Sequence, residues 1–152
     1  MATPFPFSSG NVLTAAQLNS IGAYTAYTPS FGGFTLGNGT MTTRYTQVNK
    51  LVHFYGRVAL GSTSAFTGPL DITVPIAINA ASAVLDTIGT CGAYNGSNLF
   101  YGAPINLFNN NIRCTFFNSA GTYVTNSDTS ATVPFTWANT NLFFWNIIYE
   151  SA

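Results

Sequence analysis

Apolar and polar residues alternate with a period of two over much of this chain. Between residues 51 and 60, Val52, Phe54, Val58 and Leu60 fall on one face while His53, Tyr55 and Arg57 fall on the other. That is a strand with one side in a core and the other wet or in an interface. From Tyr24 onward, short runs of Thr, Val, Ile, Tyr and Phe are separated by Gly, Pro and Asn, and no stretch sustains helical periodicity. The pattern predicts strands at residues 34–37, 40–48, 51–60, 70–76, 84–94, 99–108, 111–118, 132–137 and 141–149, with Asn38-Gly39 as a hairpin turn between the first two. Eight or nine strands at roughly ten-residue spacing fit an all-β fold, an antiparallel β-sandwich of jelly-roll-like form.

The 141–149 stretch is apolar on both sides. Leu142, Phe144 and Ile148 project one way, and Phe143, Trp145, Ile147 and Tyr149 the other. A strand on the surface of an antiparallel sandwich shows one polar face. This one is either central between two packed layers or pressed against another chain, so Phe143, Trp145, Ile147 and Tyr149 are candidates for self-association.

Residues 1–23 read differently from residues 24–152 and form a separate N-terminal arm ahead of the β-sandwich domain. Pro4 and Pro6 fix an extended start, and Phe5 and Phe7 are aromatic anchors with nothing local to bury them. A helix start follows: Thr14 is the N-cap, Gln17 completes a capping box, and Leu13 and Leu18 are placed as a hydrophobic staple. Gly22 is the expected C-cap. A helix of about two turns is marginal alone and must dock, on its own domain or on another subunit.

Composition sharpens this picture. The 152 residues are 47% hydrophobic but only 5% charged, with four Lys+Arg against four Asp+Glu and a formal net charge of zero. Arg44, Lys50, Arg57 and Arg113 are scattered in sequence, which excludes nucleic acid as a partner and removes attraction to anionic membranes. No signal peptide or transmembrane helix is expected, since no apolar run is long enough. Cys91 and Cys114 are too few for a disulfide scaffold, lack metal-site spacing, and read as small buried hydrophobes kept reduced. Solubility rests on Asn, Thr, Ser and Gly, which repel nothing, so the surface favours packing against other copies or a larger assembly.

Ionisable chemistry is sparse. A nucleophilic triad has only His53 to use, and its strand neighbours Tyr55 and Arg57 suit a surface ladder. Paired carboxylates would have to come from Asp71, Asp86, Asp128 and Glu150, which are far apart in sequence. No Asp-rich calcium loop or phosphate-cradling glycine loop is present; Asn109-Asn110-Asn111 reads as a turn, as do the sequon-like Asn38-Gly39-Thr40 and Asn95-Gly96-Ser97. No catalytic residue, cofactor or metal is expected. Tyr94, Phe100, Tyr101, Phe117 and Tyr123, among loops rich in Asn and Ser, are of the kind that fills cores and sheet edges and also of the kind that contacts sugars, with Tyr94, Tyr101 and Tyr123 as the candidate outward ligand contacts.

Several stretches carry a resemblance. Phe7-Ser8-Ser9-Gly10-Asn11-Val12-Leu13-Thr14-Ala15-Ala16-Gln17-Leu18-Asn19 resembles the G-x-x-LTAAxLN opening of tail-associated proteins of tailed bacteriophages. The body resembles their β-rich minor tail and tail-fibre-like domains through Tyr27-Thr28-Pro29 with Phe31, Leu36-Gly37-Asn38-Gly39-Thr40, Arg44-Tyr45, Val52-His53-Phe54-Tyr55-Gly56-Arg57 and Leu60-Gly61-Ser62-Thr63-Ser64. Ile72-Thr73-Val74-Pro75, Ala131-Thr132-Val133-Pro134-Phe135-Thr136-Trp137-Ala138 and Ile147-Ile148-Tyr149-Glu150 extend it over nearly the whole chain. The resemblance implies a noncatalytic virion structural protein: a short tail fibre or spike, tail-tip or minor tail subunit, trimeric and aiding host attachment. Phe5, Phe7, Leu13, Leu18 and Ile21 would attach it to other virion proteins. The implied localisation is the virion, after synthesis in the host cytoplasm. A capsid decoration, cement or head-fibre protein is the alternative, followed by an adhesin for a host surface glycan or a depolymerase.

Overall fold

A computed structural model describes residues 10, 12, 14–79, 86–107 and 110–152. The fold is all-β and antiparallel: ten strands in one curled sheet, with one short helix among the described residues. The strands are β1 (Thr25–Ala26), β2 (Phe31–Thr35), β3 (Thr40–Val48), β4 (Leu51–Ala59), β5 (Ala65–Thr73), β6 (Gly89–Tyr94), β7 (Leu99–Asn106), β8 (Asn111–Asn118), β9 (Thr125–Asp128) and β10 (Leu142–Glu150). Their order is β1-β3-β4-β10-β6-β7-β8-β5-β2, with β9 pairing β8 off this path.

Local sequence accounts for the turns. β3 and β4 pair from Thr40↔Ala59 to Val48↔Leu51, leaving Asn49 and Lys50 as a two-residue turn in which Asn49 takes the left-handed conformation that asparagine tolerates. At the β6–β7 turn, Asn95 Oδ1 accepts from the backbone N–H groups of Ser97 (3.0 Å) and Asn98 (2.8 Å). Asn38-Gly39 is a turn but not the expected hairpin, because β2 pairs β5 while β3 pairs β4. Asn38 instead holds the loop after β4: its Oδ1 accepts from Thr63 N–H at 3.0 Å, and its Nδ2 donates to Ser62 Oγ at 3.0 Å.

The sheet curls far enough for its two edges to meet. β1 lies at one end of the strand order and β2 at the other, yet only residues 27–30 separate them, a span of at most about 17 Å. Within that link Tyr27 N–H donates to Thr43 O (3.3 Å) on one edge, and Ser30 N–H donates to Thr73 Oγ1 (2.8 Å) on the other. The concave side is therefore a single core. Phe31 and Phe34 of β2 face Trp145 of β10 and Phe66 of β5, with ring centroids 6.3 and 4.6 Å apart, and Phe54 of β4 stands 5.6 Å from Trp145.

β10 sits between β4 and β6, which settles its double apolarity. Phe143, Trp145, Ile147 and Tyr149, expected at an interface between subunits, are buried in the core of their own chain. The central position uses that face completely and leaves none of it for a partner.

One expected strand is corrected, and one strand is found where none was expected. Residues 132–137 are not a strand: Trp137 Nε1 donates to the carbonyls of Ser130 (2.9 Å) and Val133 (3.2 Å), and its ring stacks on Phe66 at 4.4 Å, so the segment folds onto itself as an aromatic plug. β9, Thr-Asn-Ser-Asp, carries no apolar residue and becomes a strand by backbone pairing with β8.

The helix α1 (Ala15–Ser20) has the expected capping box. Gln17 N–H donates to Thr14 Oγ1 (3.2 Å) and Thr14 N–H to Gln17 Oε1 (2.9 Å). It ends at Ile21, and Gly22 follows with φ of +77°. No helix residue is buried, and Leu18 and Ile21 are exposed. Phe5, Phe7 and Leu13, the other attachment candidates, lie outside the described residues.

Candidate functional site

The convex side of the sheet over β3, β4, β10, β6, β7 and β8 carries the side chains that the core does not use. Its register places three rows across the strands. Thr46, His53 and Ile148 form one; Arg44, Tyr55, Asn146 and Thr90 the next; Thr42, Arg57, Phe144, Gly92 and Tyr101 the third. This surface has a polar, basic half and an aromatic half.

The basic half is held by a chain of contacts. Tyr24 Oη lies 2.9 Å from His53 Nδ1, and His53 Nε2 lies 2.6 Å from Asn146 Oδ1. A neutral imidazole that accepts at Nδ1 and donates from Nε2 satisfies both contacts. The Arg44 guanidinium sits 4.9 Å from the Tyr24 ring centre and 5.5 Å from that of Tyr55, a double cation–π contact. Arg57 lies diagonally across from Arg44 on the adjacent strand. The two arginines that read as scattered are thus neighbours on one face, brought together by the β3–β4 hairpin. Among the described residues neither is in an ion pair. On β10 and the start of β6, across Tyr55 from Arg44, a shallow groove of about 410 Å³ is lined by Thr87, Ile88, Gly89, Thr90, Asn146 and Ile148.

The aromatic half consists of Phe144, Leu99, Tyr101 and Phe117. Tyr101 is 59% and Phe117 55% exposed, while Phe144 lies over Gly92, where a Cβ would come within 2.3 Å of its ring. Tyr94 and Tyr101 are on neighbouring strands of this face, with Tyr94 Oη donating to Gly96 O at 2.7 Å. Tyr123, 81% exposed, belongs to the β8–β9 loop at the same end of the sheet. Phe100, grouped with them in sequence, turns inward and packs at 4.9 Å on Phe135.

The carboxylates are distributed elsewhere. Arg113 binds Asp71 through a two-bond fork, Nε to Oδ1 at 2.7 Å and Nη2 to Oδ2 at 3.0 Å, and reaches Asp128 Oδ2 with Nη1 at 3.2 Å. Those hydrogen bonds, Asp71 first, raise the arginine's pKa further and hold it charged. The residues join β5, β8 and β9 where β8 changes partner: β5 pairs its residues 111–113 and β9 its residues 115–118. Two carboxylates far apart in sequence therefore meet across one guanidinium, which serves as a clasp between strands. Glu150 pairs loosely with Lys50 at 3.9 Å, and the Asp86 carbonyl accepts from Asn106 N–H at 2.9 Å.

No three His, Cys, Asp or Glu side chains converge as metal ligands among the described residues. Cys91 and Cys114 are both buried free thiols, and burial, with the neighbouring Cys91, pushes the Cys114 thiol well above its ordinary pKa. No described helix is long and apolar enough to cross a membrane.

Sequence reasoning missed the pairing of Arg44 with Arg57. The signal was present: alternation in 40–48 and 51–60 puts both on the outer side, and the two-residue Asn49-Lys50 turn fixes the register between them. Nothing in the spacing announced the Asp71–Arg113–Asp128 clasp. No family model, curated protein or solved structure matches the chain.

Proposed function

We propose that this is a noncatalytic virion structural protein of the kind found in tailed bacteriophages. In this reading the β domain self-associates, as a trimer, and residues 1–23 attach it to the particle. The observation that carries it is the aromatic half of the convex face. Tyr101, Phe117 and Leu99 lie side by side and exposed on a protein whose core is already filled, and a contiguous apolar patch of this kind marks an interaction surface. Supporting it are the resemblance of the N-terminal stretch and α1, which carries a capping box, has no buried residue, and leaves Leu18 and Ile21 exposed. The scarcity of charge, with nothing to hold copies apart, points the same way.

Light scattering of the full chain tests the assembly. A mass near three chains, falling to one in the Tyr101→Asp/Phe117→Asp double variant with the fold retained, supports the proposal. A monomer at all concentrations overturns it. Deleting residues 1–23 is expected to leave the domain folded and trimeric but absent from particles; normal incorporation of that truncation removes the attachment role.

A further inference from the structure

The basic half of the convex face has features that assembly through the aromatic half does not use. The chain has four Lys and Arg side chains; Arg113 is bound to Asp71 and Asp128, and Lys50 pairs loosely with Glu150. The other two, Arg44 and Arg57, are exposed, adjacent on one face, and without a carboxylate partner among the described residues. In a protein of zero net charge this concentrates uncompensated positive charge at one place. Arg44 is also held in position by Tyr24 and Tyr55, and Tyr24 in turn by His53 and Asn146. A fork ordered before the ligand arrives loses less side-chain entropy on binding.

We infer that Arg44 and Arg57, with the groove along β10 and β6, form a binding site for a carboxylate-bearing saccharide. The guanidinium fork matches a carboxylate in two parallel hydrogen bonds. The groove on the neighbouring strands offers the hydroxyls of Thr87 and Thr90 and the amide of Asn146 to sugar hydroxyls, with the exposed Ile148 as an apolar contact, and its 410 Å³ lies within the range of small-ligand sites. Recognition here proceeds through the fork and hydroxyl contacts, because Arg44 already covers the Tyr24 and Tyr55 rings.

Other anionic partners fit less well. An extended acidic peptide gains affinity by adding to an open sheet edge, whereas this groove lies mid-sheet, with β10 paired on both sides by β4 and β6. Nucleic acid needs a longer cationic track than two arginines supply. The site shares no residue with the Tyr101 and Phe117 patch, so it stands or falls apart from the assembly proposal.

Titration of the full chain with trigalacturonate, followed by calorimetry and by the NMR shifts of Asn146 and Thr90, tests it. The result expected is saturable binding that maltotriose does not reproduce. Arg44→Gln and Arg57→Gln should each weaken it about tenfold or more, the worth of one lost charge-assisted hydrogen bond. Val124→Ser, exposed in the β8–β9 loop and outside both surfaces, should leave it unchanged. Absence of trigalacturonate binding at millimolar concentration overturns the inference. So does equal binding by the arginine variants with unaltered melting, or equal binding of maltotriose. Tighter binding of hexaglutamate than of trigalacturonate would reassign the surface to an acidic peptide and overturn the saccharide.

Discussion

Both faces of β10 carry large apolar side chains, and they differ in use. Inward, Phe143, Trp145, Ile147 and Tyr149 are sealed in the core; outward, Phe144 is half-buried and Ile148 is 54% exposed. Both faces nevertheless use one device, a large ring laid across the ladder onto a glycine. Trp145 covers Gly56 of β4 on the inside, and Phe144 covers Gly92 of β6 on the outside. The difference is what lies beyond the ring. Trp145 is backed by Phe31, Phe54 and Phe143, whereas Phe144 is backed by no other layer of the described chain. Apolarity on both sides of a strand therefore shows that it is central, and only its neighbours show which side is a core.

Charging the inner face should break the molecule outright. Trp145→Asp places a carboxylate at a position with 0% exposure, and a loss of more than about 4 kcal/mol is expected, read as the absence of a cooperative melt. A folded, still-associated variant would contradict the placement of Trp145.

Filling the glycines compares the faces directly. Gly56→Ala drives a Cβ to 2.0 Å from Trp145 Cζ2, and that ring is hemmed in, so about 3 kcal/mol is expected by chemical denaturation. Gly92→Ala meets Phe144 at 2.3 Å, but this ring can swing toward solvent, and about 1 kcal/mol is expected. Equal costs would mean that Phe144 is as confined as Trp145.

The inner face also sets an alkaline limit. Burial raises the pKa of Cys114 and of Tyr149, whose hydroxyl donates to Ile76 O at 2.8 Å. Each group ionises more readily unfolded than folded. Their contributions are therefore complete below the ordinary values of 9.0 for the thiol and 10.0 for the phenol, and are lost as pH rises beyond them. Stability should fall above pH 9, by up to about 1.4 kcal/mol per pH unit for each group, and Tyr149→Phe should flatten the upper part of that fall.

Changes on the outer face should be smallest in stability. Tyr101→Ser and Phe117→Ser are expected to shift folding by no more than about 0.5 kcal/mol while reducing the associated mass. Instability comparable to Gly56→Ala would show that these rings support the fold itself.

What the sequence disclosed follows the same division. β3 and β8 have the bounds that alternation predicts, and the turn at Asn95 is local chemistry visible in the sequence, whereas the Asn49-Lys50 turn emerges from the β3–β4 register. β9 was hidden because Thr-Asn-Ser-Asp carries no apolar signal, and it is held by backbone pairing and by polar side-chain contacts such as Arg113 to Asp128. Residues 132–137 misled because Val133, Phe135 and Trp137 alternate like a strand while serving as a plug. The use of the Trp145 face was undecidable locally, since it turns on β10 lying between β4 and β6, strands distant from it along the chain. The basic cluster was half legible, its positions readable from alternation and its meeting only from register.

The placement of β10 also has a consequence for biosynthesis. Leu142 pairs with Ala59 and Glu150 with Leu51, so the strand that joins the two halves of the sheet is the latest of the ten to emerge from the ribosome. Until then β4 and β6 each present an unpaired edge and the inner aromatic rings have no lid. Such contacts between distant segments form slowly, and open edges invite the wrong neighbour. At high expression, nascent chains stalled before residue 142 should be the species that aggregates, and slower translation should not rescue them.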